Sequence, residues 1–149
     1  MGLYDRILVP TDGSDATERA IVEAVELAAA HDGTIHALYV VNTASFASIP
    51  TESSVEGVSE MLEREGDAAL DAVEGAANER GVPVERVQLD GSPAREIVRY
   101  AERSDCDLVV MGTHGRGGID RLLLGSVAER VVRSSTVPVL TVRVGDESE

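Results

Sequence analysis

Lysine is missing from this chain altogether. All 13 basic residues are arginine, against 27 acidic ones, for a formal net charge of −14 over 149 residues. Without lysine there is no Walker A loop, whose Lys reaches the β/γ-phosphates, no Schiff-base amine and no kinase-type Lys–Glu pair. The small share of positive charge argues against binding nucleic-acid backbones or anionic membrane surfaces. No run approaches the ~20 apolar residues of a membrane-crossing helix. The opening MGLYDRILVP has no charged n-region ahead of an apolar stretch, so no signal peptide is expected. Arg6 spoils the myristoylation pattern that Met-Gly begins. The single cysteine, Cys106, cannot form an internal disulfide, and these features together fit a cytoplasmic protein. Cys106 stands before an apolar run with no basic neighbour to activate it, and reads as a buried structural thiol.

What is present is an apolar content of 43% on a chain of one-domain length, residues 1–149, with a frayed tail expected over 145–149. Abundant Asp and Glu with Arg in place of Lys is also the composition of salt-loving proteins. Carboxylates hold water at the surface, and salt screens their repulsion.

Strand and helix patterns alternate. The apolar run from Leu3 to Val9 closes on the turn cluster Pro10-Thr11-Asp12-Gly13. Ser14 or Asp15 is placed to cap a helix, and Asp15 with Glu18 has capping-box spacing. Ala20, Ile21, Ala24, Val25 and Ala28 recur at helical period, and His31-Asp32-Gly33 stops them. A second strand spans Thr34 to Val41. A polar loop from Asn42 to Ser54 follows, longer than the ~4–6 residues usual for such connections. A long helix from Val55 to Arg80 carries the stripe Leu62, Ala69, Val73 and Ala76 under an acidic outer face. The third strand runs from Val84 to Leu89. Ser92-Pro93 then opens a helix lined by Ile97, Val98 and Ala101. A fourth strand, Asp107 to Met111, precedes a helix within Leu122–Ser134 and a last strand from Val137 to Val144. Pro138 removes a ladder donor and sends that last strand to a sheet edge. Five continuous apolar strands alternating with four helices predict an open α/β domain, a parallel sheet covered on both faces.

Such sheets bind ligands beyond their strand C-termini, where the strand order reverses. Two loops stand there: 10–14 after the first strand, and 112–118 after the fourth, with four glycines in seven residues. If both serve one site, the first and fourth strands are neighbours and the order is 3-2-1-4-5. The order 2-1-3-4-5 would instead pair the first loop with Asp90–Pro93. Glycine lets main-chain amides approach a ligand closely. Gly125-Ser126 adds amides and a hydroxyl suited to phosphate. The dinucleotide fingerprint fails, because Asp120 stands where its third glycine is required.

Gly112, Gly115, Gly125 and Ser126 together spell G-x2-G-x9-G-[ST]. With ILVPTDGS, LYVV, GSPAREI and GSVAERVVRSSTVPVLTVR, the chain resembles the universal stress proteins over nearly its whole length. The resemblance implies ATP at the crevice; against the negative charge of the chain, Mg²⁺ brought by the nucleotide would offset repulsion, and AMP or ADP stand as open alternatives to ATP. It also implies a cytoplasmic, Rossmann-like homodimer paired through the last strand (137–144). Carried over by position, Asp12 would accept from ribose hydroxyls or adenine-side groups. Pro10, Thr11 and Val40 would line the adenine, and Met111 and Gly112 the ribose. Gly115, Gly125, Ser126 and Val127 would hold phosphates through their amides, with His114 and Arg116 nearby. Ala128 departs from family members with a hydroxyl there, which implies one fewer phosphate contact.

Simpler readings stand beside these. The glycine segment also reads as a tight turn, and Asp12 as a helix-start acceptor. His31 would face a helix dipole, His36 would be structural, and Arg116 and Arg121 surface charges. No base, arginine clamp or nucleophile triad occurs at recognisable spacing. The composite expectation is a nucleotide-binding stress or signalling module without fast turnover. The alternatives are a dimeric interaction protein with an empty site and a slow ATPase.

Overall fold

The computed structural model describes residues 3–42, 55–113 and 125–143. Its elements are β1 (Arg6–Pro10), a 3₁₀ turn (Asp15–Thr17), α1 (Glu18–His31), β2 (Thr34–Asn42), α2 (Val55–Glu79), β3 (Val84–Gly91), α3 (Pro93–Arg103), β4 (Leu108–Gly112), α4 (Ser126–Ser134) and β5 (Val139–Val142). All strand pairs are parallel and the order is β3-β2-β1-β4-β5. This is the 3-2-1-4-5 arrangement expected, with its reversal between β1 and β4.

Alternation along each strand divides the core in two. Ile7, Val9, Ile35, Ala37 and Val110 face α1 and α2. Leu8, Leu38, Val109 and Met111 face α3 and α4, against Ile97, Ala101 and Val131. Helices therefore cover both faces, which is why the strands carry apolar residues on successive positions. The α1 stripe is buried as read: Ala20, Ile21, Ala24, Val25 and Ala28. On α2 the buried line is Ala69, Leu70, Val73 and Ala77, with Leu62 and Ala76 partly covered.

Element ends differ from the sequence reading for local reasons. β1 begins at Arg6 rather than Leu3, because Asp107 Oδ2 accepts both the Asp5 and Arg6 amides at 3.0 Å and sets the entry to the strand. Leu3 stays exposed, its amide donating to His31 Nδ1 at 3.1 Å. β5 is shorter than 137–144: Ser135 Oγ donates to Val137 O and accepts Val137 N, folding that residue into a turn. Residues 144–149 lie outside the described ones. β3 runs on to Gly91, which pairs with Asn42. Neither Ser14 nor Ser92 makes a side-chain cap bond, and Asp15 opens the 3₁₀ turn instead of a capping box. α1 ends at Asp32 in the left-handed region. The next residue must be glycine, since a Cβ on Gly33 would stand 2.6 Å from the Tyr4 carbonyl oxygen.

At the strand N-terminal end, the starts of β1, β2 and β3 and the end of α3 line an open polar pocket of about 660 Å³. His36 lines it, buried, with Nδ1 2.8 Å from the Tyr100 hydroxyl. Cys106 is also buried, and burial pushes its thiol up to about 11.

Candidate functional site

At the opposite end of the sheet, β1 and β4 finish side by side and their chains diverge. The first wall of the resulting crevice is the turn after β1. Thr11 N donates to Leu38 O at 2.9 Å, carrying the ladder one residue past the strand. Gly13 then takes φ +81, a value glycine reaches without strain, and its amide donates to Thr11 Oγ1 at 3.1 Å. Asp12 Oδ1 accepts the Ser14 amide at 2.9 Å and the Ser14 hydroxyl at 2.6 Å. Thr17 Oγ1 donates to Ser14 O at 2.8 Å. The helix-start role read for Asp12 is thus present, spent on Ser14.

The second wall is main chain of β2. Residues of a parallel strand bond alternately to one neighbour and the other. Leu38 O accepts from beyond β1, while Ile35 N donates to Pro83 O beside β3. Even-numbered residues of β2 therefore turn toward β1 and odd-numbered ones toward β3. Val40 is the next even position, yet the β1 register stops at Pro10 opposite Leu38. Its N–H and C=O face the gap past the end of β1.

The third wall is the end of β4. Met111, Gly112 and Thr113 are buried. Thr113 N donates to Val142 O at 3.1 Å, and Thr113 O accepts Gly125 N at 2.7 Å. This clasp brings the beginning of α4 back to the end of β4. The first intrahelical bond of α4 runs from Glu129 N to Gly125 O at 2.9 Å. The amides of Ser126, Val127 and Ala128 precede it and have no acceptor within the helix. The aligned peptide dipoles add roughly half a positive charge there. Ala128 is buried, its methyl packed with the α3/α4 core.

Of the residues singled out in sequence, Pro10, Thr11, Asp12, Val40, Met111, Gly112, Gly125, Ser126 and Val127 stand on these three walls. Val40 and Val127 pack against the apolar cluster that holds Met111. His114, Gly115 and Arg116 lie outside the described residues, as does Arg121. The sequence reading does not include Thr17, Leu38 or Thr113 in the site. Thr17 stands three residues after Ser14, a spacing at which a hydroxyl reaches back to a carbonyl; Leu38 and Thr113 contribute main-chain atoms that no side-chain pattern marks.

The architecture defines a doubly wound α/β domain with a crevice of main-chain donors and acceptors at its point of strand reversal. The model of the universal stress protein family matches residues 3–143, and the chain belongs to that family. It is similar to the universal stress protein MJ0531 of Methanocaldococcus jannaschii, 46% identical over 141 residues, covering 95% of this chain and 83% of that one. Among solved structures, hypothetical protein MJ0577, also of Methanocaldococcus jannaschii, superposes with a TM-score of 0.86 at 28% identity, over 97% of this chain and 99% of its own. A universal stress protein solved in complex with cAMP superposes with a TM-score of 0.68 at 27% identity, over 95% and 98%.

Proposed function

We propose that this chain holds an adenine nucleotide, with ATP as the principal ligand, and signals by occupancy without fast turnover. The observation that carries the reading is the main chain of Val40. One residue offers an N–H and a C=O side by side, and the adenine edge offers an acceptor ring nitrogen beside an amino donor. Guanine presents the opposite order. The fit extends along the crevice. The Asp12 carboxylate suits ribose hydroxyls, with Met111 and Gly112 beneath the sugar. The amides of residues 126–128 suit phosphate oxygens. Gly115, with His114 and Arg116, would complete the phosphate cradle, and a divalent ion would arrive on the phosphates. A ligand of this kind supplies recognition and charge. A relative of the same fold in complex with cAMP supports the ligand class.

The same reading includes a homodimer through β5. That strand stands at the sheet edge. Pro138 O and Val142 O both accept from the β4 side, so Val139 and Thr141 turn their amides outward. Leu140, on the strand itself, and Val132, on α4, are exposed, and an open apolar edge strand is normally covered.

Mass spectrometry of small molecules released from denatured protein, with calorimetric titration of ATP and Mg²⁺ in high salt, tests the ligand. Adenine nucleotide in the extract and a heat of binding are expected. Gly115→Val is expected to weaken that binding at least about tenfold while the dimer persists. No nucleotide and no heat would leave the empty interaction module as the better account. Phosphate release at enzyme-like rates would favour the ATPase.

A further inference from the structure

We propose that Thr17, which belongs to no part of the glycine motif, is a positioning residue that orients the Asp12 carboxylate toward the ribose. The inference rests on the nucleotide reading above and adds a residue to it. Thr17 and Thr11 are both 7% exposed, so their hydroxyls must find partners inside the protein. A hydroxyl has one proton. That of Thr17 goes to Ser14 O at 2.8 Å. In the 3.4 Å contact between Thr11 Oγ1 and Thr17 Oγ1, Thr11 is then the donor. Thr11 Oγ1 in turn accepts the Gly13 amide.

These bonds form one directed chain. It begins at Gly13 N, passes through Thr11 and Thr17, and ends on the carbonyl of Ser14. The amide and hydroxyl of that same Ser14 hold Asp12 Oδ1. Thr17 therefore grips Ser14 from behind while Ser14 grips the carboxylate in front. The grip holds Asp12 Oδ1 and so constrains how the carboxylate turns. Thr17 itself opens α1 as the residue before Glu18, so the carboxylate is referenced to a helix packed across β1 and β4.

Valine in place of Thr17 keeps the shape and the 3.2 Å bond from the Thr17 amide to Ser14 O, and removes the hydroxyl as donor to Ser14 O and as acceptor from Thr11. The binding of ATP and of 2′,3′-dideoxy-ATP to wild type, Thr17→Val and Thr17→Ser, measured by calorimetry, tests the assignment. Thr17→Val is expected to weaken ATP by about tenfold. Its effect on the dideoxy analogue, which lacks the hydroxyls that Asp12 would hold, is expected to stay below about threefold. Thr17→Ser restores the hydroxyl and is expected to bring ATP back to within about twofold of wild type. Equal losses for both nucleotides would mean that Thr17 only supports the fold, and would overturn the assignment, as would unchanged ATP affinity in Thr17→Val. Failure of the wild-type protein to bind any adenine nucleotide would instead overturn the reading on which it rests.

Discussion

His36 shows how one buried side chain ties stability to acidity. Burial lowers its proton affinity below the usual 6.5; Glu85 pulls it back upward, and Arg6 pushes it further down. The folded protein thus binds this proton less readily than the unfolded chain, so the imidazole's contribution is fully present above pH 6.5 and is lost as pH falls from there toward the lowered folded value. Urea midpoints at pH 7.5 and 5.5 are expected to differ more for wild type than for His36→Gln; equal differences would remove His36 as the cause. That His36 is structural follows from an isolated polar residue in an apolar strand. That Tyr100 is its partner does not, because 64 residues separate them and only the packing of α3 on β2 brings them together. The crevice divides in the same way. Asp12, Gly112, Gly125 and Ser126 are marked by residue type and spacing. Thr17 reaches a carbonyl only three residues away, whereas Thr113 joins Val142 O and Gly125 N, groups that meet it only once β4, β5 and α4 are assembled.

Helices and strands were legible where the apolar period was long, as in α1 and α2. They were less so where a single polar group sets the boundary, as Asp107 does for β1 and Ser135 does ahead of β5. The acidic face of α2 reads as solvation in sequence, and much of it is. Part of it is a tether to β3. Arg86 Nη1 donates to Asp71 at 2.6 Å and to Glu74 at 2.8 Å, while Nη2 donates to the Asp67 carbonyl at 3.3 Å. The hydrogen bonds Arg86 donates to Asp71, then to Glu74, raise its already high pKa further. The group is 30% exposed, so solvent screens much of the attraction. Arg86→Ala is expected to cost about 1 kcal/mol in dilute buffer, or roughly 2–4 °C in Tm. Calorimetric melts in molar salt are expected to show a smaller loss, since screening weakens the pairs. An undiminished loss would assign the effect to packing of the arginine stem.

For the whole molecule, the two sheet edges are unlike. β3 is bound through Arg86 to the acidic face of α2, whereas β5 turns the Val139 and Thr141 amides outward. Thr141→Pro removes one outward donor and leaves the bonds to β4 in place. Sedimentation is expected to show a dimer for wild type and at least about tenfold weaker association for Thr141→Pro, with unchanged far-UV dichroism. An undisturbed dimer would place the interface elsewhere. The charge of −14 opposes any such pairing. Added salt is therefore expected to favour it, the Debye length falling to about 3 Å at 1 M.

The burial of Cys106 bears on which kinds of signal a stress-family chain of this design can receive. Oxidants act on thiolates, and a thiol held near 11 and closed off from solvent offers almost none at neutral pH. Sulfenylation and glutathionylation thus have no foothold at the only sulfhydryl in the chain, and peroxide cannot be registered there as a covalent mark.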